Sequence, residues 1–290
     1  MKSKRRKWLI FASIALVLAA ALVIWIVWGN TALETTCYTI SSEEIPDAFD
    51  GFRIAQVSDL HNAQMGSNNE KLLALLRESD PDIIAITGDL IDSRNTDVEV
   101  ALDFAREALK IAPCYFVLGN HEARTPPSRR ILVKELQAMG VTVLQNARVE
   151  LEREGQTLTL LGVDDPTHYP EDPSYSDADI LSLRLDALQQ EDGGYTVLLS
   201  HRPELFDVYV QHGIDLALTG HAHGGQFRLP LIGGLAAPNQ GLLPQYDAGL
   251  FQSESTSMIV SRGIGNSAFP FRINNRPELV LIELQSPASK

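Results

Sequence analysis

The stretch LALTGHAHGGQ at 216–226 sets His221 and His223 one residue apart, directly after an apolar run and among glycines. Four other places share that arrangement: VSDLH (57–61), ITGDL (86–90), VLGNHE (117–122) and LLSHRPE (198–204). In each, an apolar run of strand length ends in Asp, Asn or His. Five of the seven histidines lie in these motifs, and the remaining two, His168 and His212, read as a loop and a helix-surface residue. Asp, Asn and His gathered without thiolates suit Mn, Fe or Zn, and a carboxylate can bridge two cations. Singly, each motif is weak, because an Asp after a strand is commonly a helix cap or turn former. His201 before Arg-Pro-Glu can equally cap or pack a helix, and Glu122 is expected to bond the turn after His121 and to hold no metal. The signal lies in the five together.

The elements that must position these residues follow from the pattern of the chain. RIAQVS (53–58), DIIAIT (82–87) and CYFVLG (114–119) alternate with the amphipathic stretches NNEKLLALLRES, DVEVALDFAREALK and SRRILVKELQAMG. Short runs rich in Val and Ile, separated by helices of about 10–14 residues, indicate an α/β sheet with helices on its faces. RVELEREGQTLTLLGV (148–163) then alternates in period two and turns at Glu154 to Gln156, as an antiparallel hairpin does. A helix around 176–190, the strand YTVLLS (195–200), a helix near 203–212 and the strand DLALTG (215–220) follow, and SMIVSRG and ELVLIEL read as closing strands. CYTI (37–40) reads as the first strand. The expected fold is one mixed α/β domain, two packed sheets between helix layers, without internal repeats. In open α/β sheets ligands bind outside the carboxyl ends of strands, where all five clusters fall. Gly88, Gly119 and Gly220 are expected to let the backbone turn sharply there.

The first 30 residues belong to a different physical class. KSKRRK carries five positive charges, and WLIFASIALVLAAALVIWIVW (8–28) follows as 21 uncharged residues. At about 1.5 Å per residue such a helix spans a hydrocarbon core of about 30 Å. A cleavable signal has an apolar region of about 7–15 residues and a small-residue cleavage site, whereas this run ends in Trp25, Trp28 and Gly29, so a retained anchor is expected. The basic cluster should stay cytoplasmic, placing residues 31–290 outside the cytoplasm as a second unit. A linker of about eight residues, reaching about 30 Å, would hold that domain against the membrane, since the domain is wider than that. Past the anchor, 19 basic residues face 37 acidic ones, a charge of −18. Such a surface repels nucleic-acid phosphates and weighs against a nuclease or nucleic-acid binder. Two cysteines, Cys37 and Cys114, make no disulfide framework, and Cys114 is expected in a buried strand.

Asp-x-His, Gly-Asp, Gly-Asn-His-Glu, a lone His and Gly-His-x-His, in that order from residue 57 to 223, resemble the calcineurin-like metallophosphoesterase superfamily. TGHAHGGQFRLP behind an N-terminal membrane segment looks like its membrane-associated or exported bacterial phosphodiesterases, some of which cleave lipid-linked UDP-sugars. The resemblance implies an α/β/β/α sandwich of two mixed sheets and a dinuclear centre of divalent or mixed-valence ions. It implies that Asp59, His61 and His223 hold one metal, that Asn120, His201 and His221 hold the other, and that Asp89 bridges them. His121 falls on the family's general acid and Asp92 on its acidic partner. The implied reaction is hydrolysis of a phosphodiester or pyrophosphate, in a small-molecule or lipid-linked substrate, by in-line attack of a hydroxide shared by two cations. A nearby carboxylate is expected to raise the pKa of His121 against the lowering effect of the metals. A non-catalytic envelope protein binding metal or phosphorylated ligands is the competing reading, and it calls for a broken ligand set, which this chain lacks. A protein phosphatase is disfavoured by the anchor. Arg262 and Arg272 are candidates to reach substrate oxygens, with exposed surface arginines as the alternative, and the acidic, proline-rich segment 163–177 is a candidate border of the site.

Overall fold

The apolar runs are buried on both faces, which makes them strands between layers. The computed structural model describes residues 2–169, 174–188, 194–266 and 269–287. Two six-stranded sheets are built from β1 (Glu34–Ser41), β2 (Arg53–Val57), β3 (Ile83–Thr87), β4 (Cys114–Val117), β5 (Thr142–Val143), β6 (Ala147–Arg153), β7 (Gln156–Gly162), β8 (Thr196–Leu199), β9 (Leu216–Thr219), β10 (Gly249–Ser253), β11 (Thr256–Val260) and β12 (Glu278–Gln285). The first runs β1-β12-β2-β3-β4-β5 and the second β10-β11-β9-β8-β7-β6. Both are mixed: β12 pairs parallel with β1 and antiparallel with β2, and β7, β8, β9 and β11 run parallel between two antiparallel edges.

Among the described residues, seven α-helices accompany the sheets, α1 (Lys2–Thr31), α2 (Glu70–Ser79), α3 (Val98–Ala108), α4 (Asn120–Arg124), α5 (Pro126–Met139), α6 (Asp177–Leu188) and α7 (Phe206–Gln211), and two short hairpins pair Arg228–Leu229 with Gly233–Gly234 and Ala236–Ala237 with Gly241–Leu242. Within β8, Val197 and Leu199 join Ile54, Ala85 and Val280 between the sheets, while Leu198 packs outward with Leu181, Leu185 and Phe206 of α6 and α7. On the other side Val57, Ile84 and Phe116 meet Leu72, Leu76, Phe104 and Leu132 of α2, α3 and α5. Period two in the strands therefore produces three apolar interfaces and the α/β/β/α order. Caps set the helix ends: Asp97 accepts from Glu99 N–H at the start of α3, and Gly140 takes φ +102° at the end of α5. The helix expected around 176–190 covers Asp177–Leu188, with residues 189–190 outside the described set, and Cys37 and Cys114 are both free thiols.

One expectation is corrected. The link between anchor and domain is not about eight residues but two, Ala32 and Leu33, because α1 runs to Thr31 and β1 begins at Glu34. Arg276 closes this joint by donating to the carbonyls of Ala32 (2.8 Å) and Leu33 (2.6 Å), with its guanidinium over the Trp28 ring. Helix α1 is largely exposed from Lys4 onward, and its 28 residues from Lys4 to Thr31 are long and apolar enough to cross a membrane.

Leu218, fully buried between the sheets, tests the packing. Leu218→Ala should lower the unfolding free energy of the detergent-solubilised chain by about 2–5 kcal/mol, read by chemical denaturation. A change within error would mean that the two sheets do not share a tight core.

Candidate metal centre and active site

All nine side chains singled out from sequence sit just past the carboxyl ends of five strands. Asp59 and His61 follow β2, Asp89 and Asp92 follow β3, Asn120 and His121 follow β4, His201 follows β8, and His221 and His223 follow β9. Five of them adopt left-handed backbone: Asp59 (φ 53°), His61 (47°), Asp89 (54°), His221 (64°) and His223 (48°). That conformation costs about 1–2 kcal/mol per non-glycine residue, least for Asn, Asp and His. It turns each chain end so that the side chain points back over the sheet edge. The expectation that glycines make the turns holds only for Gly88 (φ +93°). Gly119 and Gly220 are needed for closeness instead, because a Cβ there would collide with the Asp89 and Asp59 carboxylates.

Two groups of donors result. His61 Nε2 lies 3.1 Å from His223 Nε2 and 3.7 Å from Asp59 Oδ1, which is 3.3 Å from His223 Nε2. His201 Nε2 lies 3.2 Å from His221 Nδ1, 3.1 Å from Asn120 Oδ1 and 3.2 Å from Asp89 Oδ2. The same Asp89 oxygen is 3.6 Å from His61 Nε2, so it faces both groups. Donor atoms held by one cation at about 2.1 Å stand about 3.0–3.4 Å apart, and of the pairs quoted within each group all but His61 to Asp59, at 3.7 Å, fall in that range. His201 is aimed by its other nitrogen, 2.8 Å from the Thr87 carbonyl, as metal-ligating imidazoles usually are.

Electrostatics fit cations as well. Asp59 and Asp89 are buried (0% and 1% exposed), and among the described residues their only ion partners are imidazoles. Burial works to raise both carboxyls, but the surrounding histidines outweigh it and hold them well below the usual range. The demand for positive charge falls on His201, pushed up to about 10 against its own burial by Asp89, while burial takes His223 down to about 3. Asn120 shows the same conflict. Its Oδ1 faces His201 Nε2 (3.1 Å) and His221 Nδ1 (2.9 Å), and its Nδ2 faces Arg124 Nη1 (2.8 Å) and Nη2 (3.2 Å). Hydrogen bonding alone favours the reversed amide, donating inward and accepting from Arg124; a cation at those imidazoles favours the oxygen inward.

His121 stands beside the first group, its ring centroid 4.4 Å from that of His61. Its Nδ1 accepts from the Ser93 backbone N–H at 2.9 Å, so the neutral ring carries its proton on Nε2. Asp92 is 3.6 Å from Nδ1, beyond hydrogen-bond reach, and its carboxylate is engaged by Arg94 at 2.6 and 3.0 Å. Burial brings His121 down to about 4, outweighing the Asp89 and Asp92 charges, which raise it as expected of carboxylate neighbours. Glu122 holds no metal position but ties the loops: its carboxylate accepts from Asp89 N (3.0 Å), Ile91 N (3.1 Å) and Gly119 N (2.8 Å).

The centre opens into a cavity of about 290 Å³ lined by Asp89, His121 and His223 together with Arg94, Arg124 and Asn239. Neither arginine was foreseen, because Arg94 follows the strand end by seven residues and Arg124 ends a five-residue helix. Arg272 corrects both alternatives read from sequence. It is 1% exposed and absent from the cavity lining; it donates to the Arg262 and Gly265 carbonyls and stands 3.5 Å from His223 Nδ1, bracing the loop. Arg262 pairs with Glu34 and Glu278. His168 is no bland loop residue, since its Nε2 lies 3.2 Å from the Gly119 carbonyl behind the site. Of the acidic segment 163–177, residues 170–173 lie outside the described set.

Residues 52–225, which carry every one of these motifs, match the calcineurin-like phosphoesterase family. The chain belongs to it. The calcineurin-like phosphoesterases are a dinuclear-metal enzyme family, and this member, a metal-dependent phosphoesterase, has among its described residues three three-residue clusters able to hold ions: Asp59, His61 and His223; Asp89, His201 and His221; and His61, Asp92 and His121. It is 30% identical over 259 residues to the uncharacterized metallophosphoesterase YkuE of Bacillus subtilis, covering 88% of this chain and 86% of that protein. Phosphodiesterase YaeI of Escherichia coli is 29% identical across 80% of this chain and 82% of its own length. A transmembrane protein with metallophosphoesterase domain from Danio rerio is 28% identical, this chain spanning 62% of it. Together with α1, that relative suggests a single-pass membrane protein. The Thermus thermophilus sulfate thiohydrolase SoxB shares the fold, with a TM-score of 0.51 at 13% identity over 83% of this chain and 58% of that one.

Because Glu122 positions Asp89 without touching either donor group, its substitution separates support from ligation. Glu122→Gln sets an amide N–H₂ against backbone donors and should cost about 1–3 kcal/mol of stability while weakening metal uptake. Unchanged denaturation midpoint and unchanged metal content would remove the positioning role.

Proposed function

We propose that the protein is a membrane-anchored hydrolase of phosphodiester or pyrophosphate bonds working on two metal ions, with residues 1–30 as anchor and 31–290 as the catalytic domain outside the cytoplasm. The observation that carries the reading is the pair of donor groups sharing Asp89. In it, Asp59, His61 and His223 bind one ion, Asn120, His201 and His221 the other, and Asp89 both. Such ions, Mn, Fe or Zn by donor type, would lower the pKa of a bound water and offset phosphate charge. The Escherichia coli relative is a phosphodiesterase, which favours diesters.

The chain's own residues supply the rest. Arg94 and Arg124 at the cavity wall present guanidinium groups to the non-bridging oxygens of a phosphate. His121 delivers the proton to the leaving oxygen. Burial keeps it uncharged in the free protein, and a phosphate anion arriving alongside raises its pKa toward the working range. Asp92 acts on it through its charge from 3.6 Å, while the Ser93 hydroxyl, 3.1 Å from Nδ1, is placed to accept from the charged ring. The anchor keeps the domain at the membrane surface, so membrane-borne or envelope-associated phosphates are the substrates met at highest effective concentration.

Two substitutions test the assignments. Asp89→Asn should remove most bound metal together with turnover, measured by elemental analysis and by hydrolysis of a nitrophenyl phosphodiester with Mn, Zn or Fe supplied; full metal content with normal turnover would refute the bridging role. His121→Asn should retain both ions and slow esters with poor leaving groups by about 10²–10⁴. Nitrophenyl esters, which need little protonation, should slow much less, and equal losses on the two substrate types would contradict proton donation.

A further inference from the structure

Outside α1, eleven large apolar side chains are exposed among the described residues, and seven of them fall in just two segments. Leu229, Leu231, Ile232, Leu242 and Leu243 lie on two short consecutive hairpins, and Phe269 and Phe271 on a loop beside them. Leu231 is fully exposed and Leu242 is 77% exposed. Leu231 and Leu243 also take left-handed backbone (φ 69° and 54°), where glycine or asparagine would be easier. Apolar residues thus occupy positions where neither packing nor backbone favours them, and so contiguous a patch on a soluble face marks a binding surface.

The two segments are bound to each other and to the anchor. The Phe227 ring lies 5.2 Å from that of Phe269 and 5.5 Å from that of Phe271, and Gln226 Nε2 donates to the Phe271 carbonyl at 2.7 Å. Arg228 N donates to the Ile273 carbonyl at 2.9 Å. The Asn30 side chain, at the end of α1, then makes paired bonds with the Arg272 backbone, accepting from its N–H at 2.7 Å and donating to its carbonyl at 3.0 Å. A cavity of about 230 Å³ lined by Trp25 and Trp28 on one side and Asn274 and Arg276 on the other lies at this junction. The patch is therefore continuous with the membrane helix at its aromatic, interfacial end. The same loop region reaches the active site, because Pro238 and Asn239, between the strands of the second hairpin, line the catalytic cavity.

We propose that the hairpins of residues 228–242, with Leu243, Phe269 and Phe271, dock into the lipid bilayer beside α1 and hold the mouth of the active site at headgroup level. The substrate class is then an amphiphile whose phosphodiester or pyrophosphate lies at the bilayer surface, presented sideways to the cavity rather than from bulk water. The substrate part rests on the function proposed above; the docking part rests on the patch and its joint with α1 alone.

The test uses the full chain in vesicles of phosphatidylethanolamine and phosphatidylglycerol. In a Cys37→Ser background, an environment-sensitive fluorophore is placed at Leu231→Cys, at Leu242→Cys, or at Lys134→Cys on α5, next to the sheet edge farthest from β1. Quenching by lipids with spin labels on the acyl chain should place positions 231 and 242 about 5–10 Å below the headgroups and leave 134 unquenched. Positions 231 and 242 as unquenched as 134 would overturn docking, and would also be the result if the patch met a protein partner instead. Leu231→Glu combined with Leu242→Glu should slow hydrolysis of a vesicle-borne phosphodiester by about tenfold or more and leave a soluble nitrophenyl phosphodiester unchanged. Equal effects on the two would overturn the sideways presentation. No turnover of either ester by the unsubstituted chain would sink the phosphoesterase function, while the quenching result would still decide docking.

Discussion

Two buried carboxylates that form no ion pair with a lysine or arginine among the described residues govern this structure. Asp59 and Asp89 are buried at the meeting point of the two sheets, and among the described residues their ion partners are imidazoles alone. Removing a carboxylate from water costs several kcal/mol unless positive charge replaces the solvent. Imidazoles serve poorly, because five of them packed together oppose one another's protonation, as the opposite displacements of His201 and His223 show. Divalent cations would resolve the conflict for every donor at once, satisfying both carboxylates, taking the lone pairs of the neutral imidazoles and favouring the Asn120 oxygen inward.

Keeping the donors in place requires local cost and local support. Left-handed backbone at five of the candidate ligand positions is unfavourable on its own, and the surrounding contacts must over-determine it. Glu122 does so for the loops after β3 and β4, and Arg272 for the loop near His223. Glycines at 119 and 220 leave the room the carboxylates occupy. Strand burial on both faces supplies the rigidity against which this strain is held.

Much of this was legible in the sequence, for physical reasons. Val- and Ile-rich runs alternating with amphipathic stretches can satisfy their apolar faces only as strands between helices, and β2, β3, β4, β8 and β9 came out within a residue or two. Their polar ends gave the donor types, and the order of the motifs gave the family. What stayed hidden depends on distant contacts. Nothing local in ELVLIEL shows that it inserts between β1 and β2, antiparallel to one and parallel to the other. Burial of Arg272 follows from its carbonyl partners at 262 and 265, not from its neighbours in sequence. Positive φ at Asp and His carries no signature beyond the tolerance of those residues, so the turns were credited to glycine. Burial, which has no signal in the sequence, outweighs the rise in the pKa of His121 that the charge of Asp92 does produce. The helix continued through TALE's first residue, Thr31, and so the tether shrank to two residues.

The most direct measurement is anomalous X-ray scattering from the full-length protein loaded with manganese. Two strong peaks about 3.5–4 Å apart are predicted, one against Asp59, His61 and His223, the other against Asn120, His201 and His221, with Asp89 between them. A single peak, or metal bound away from these side chains, would contradict the account.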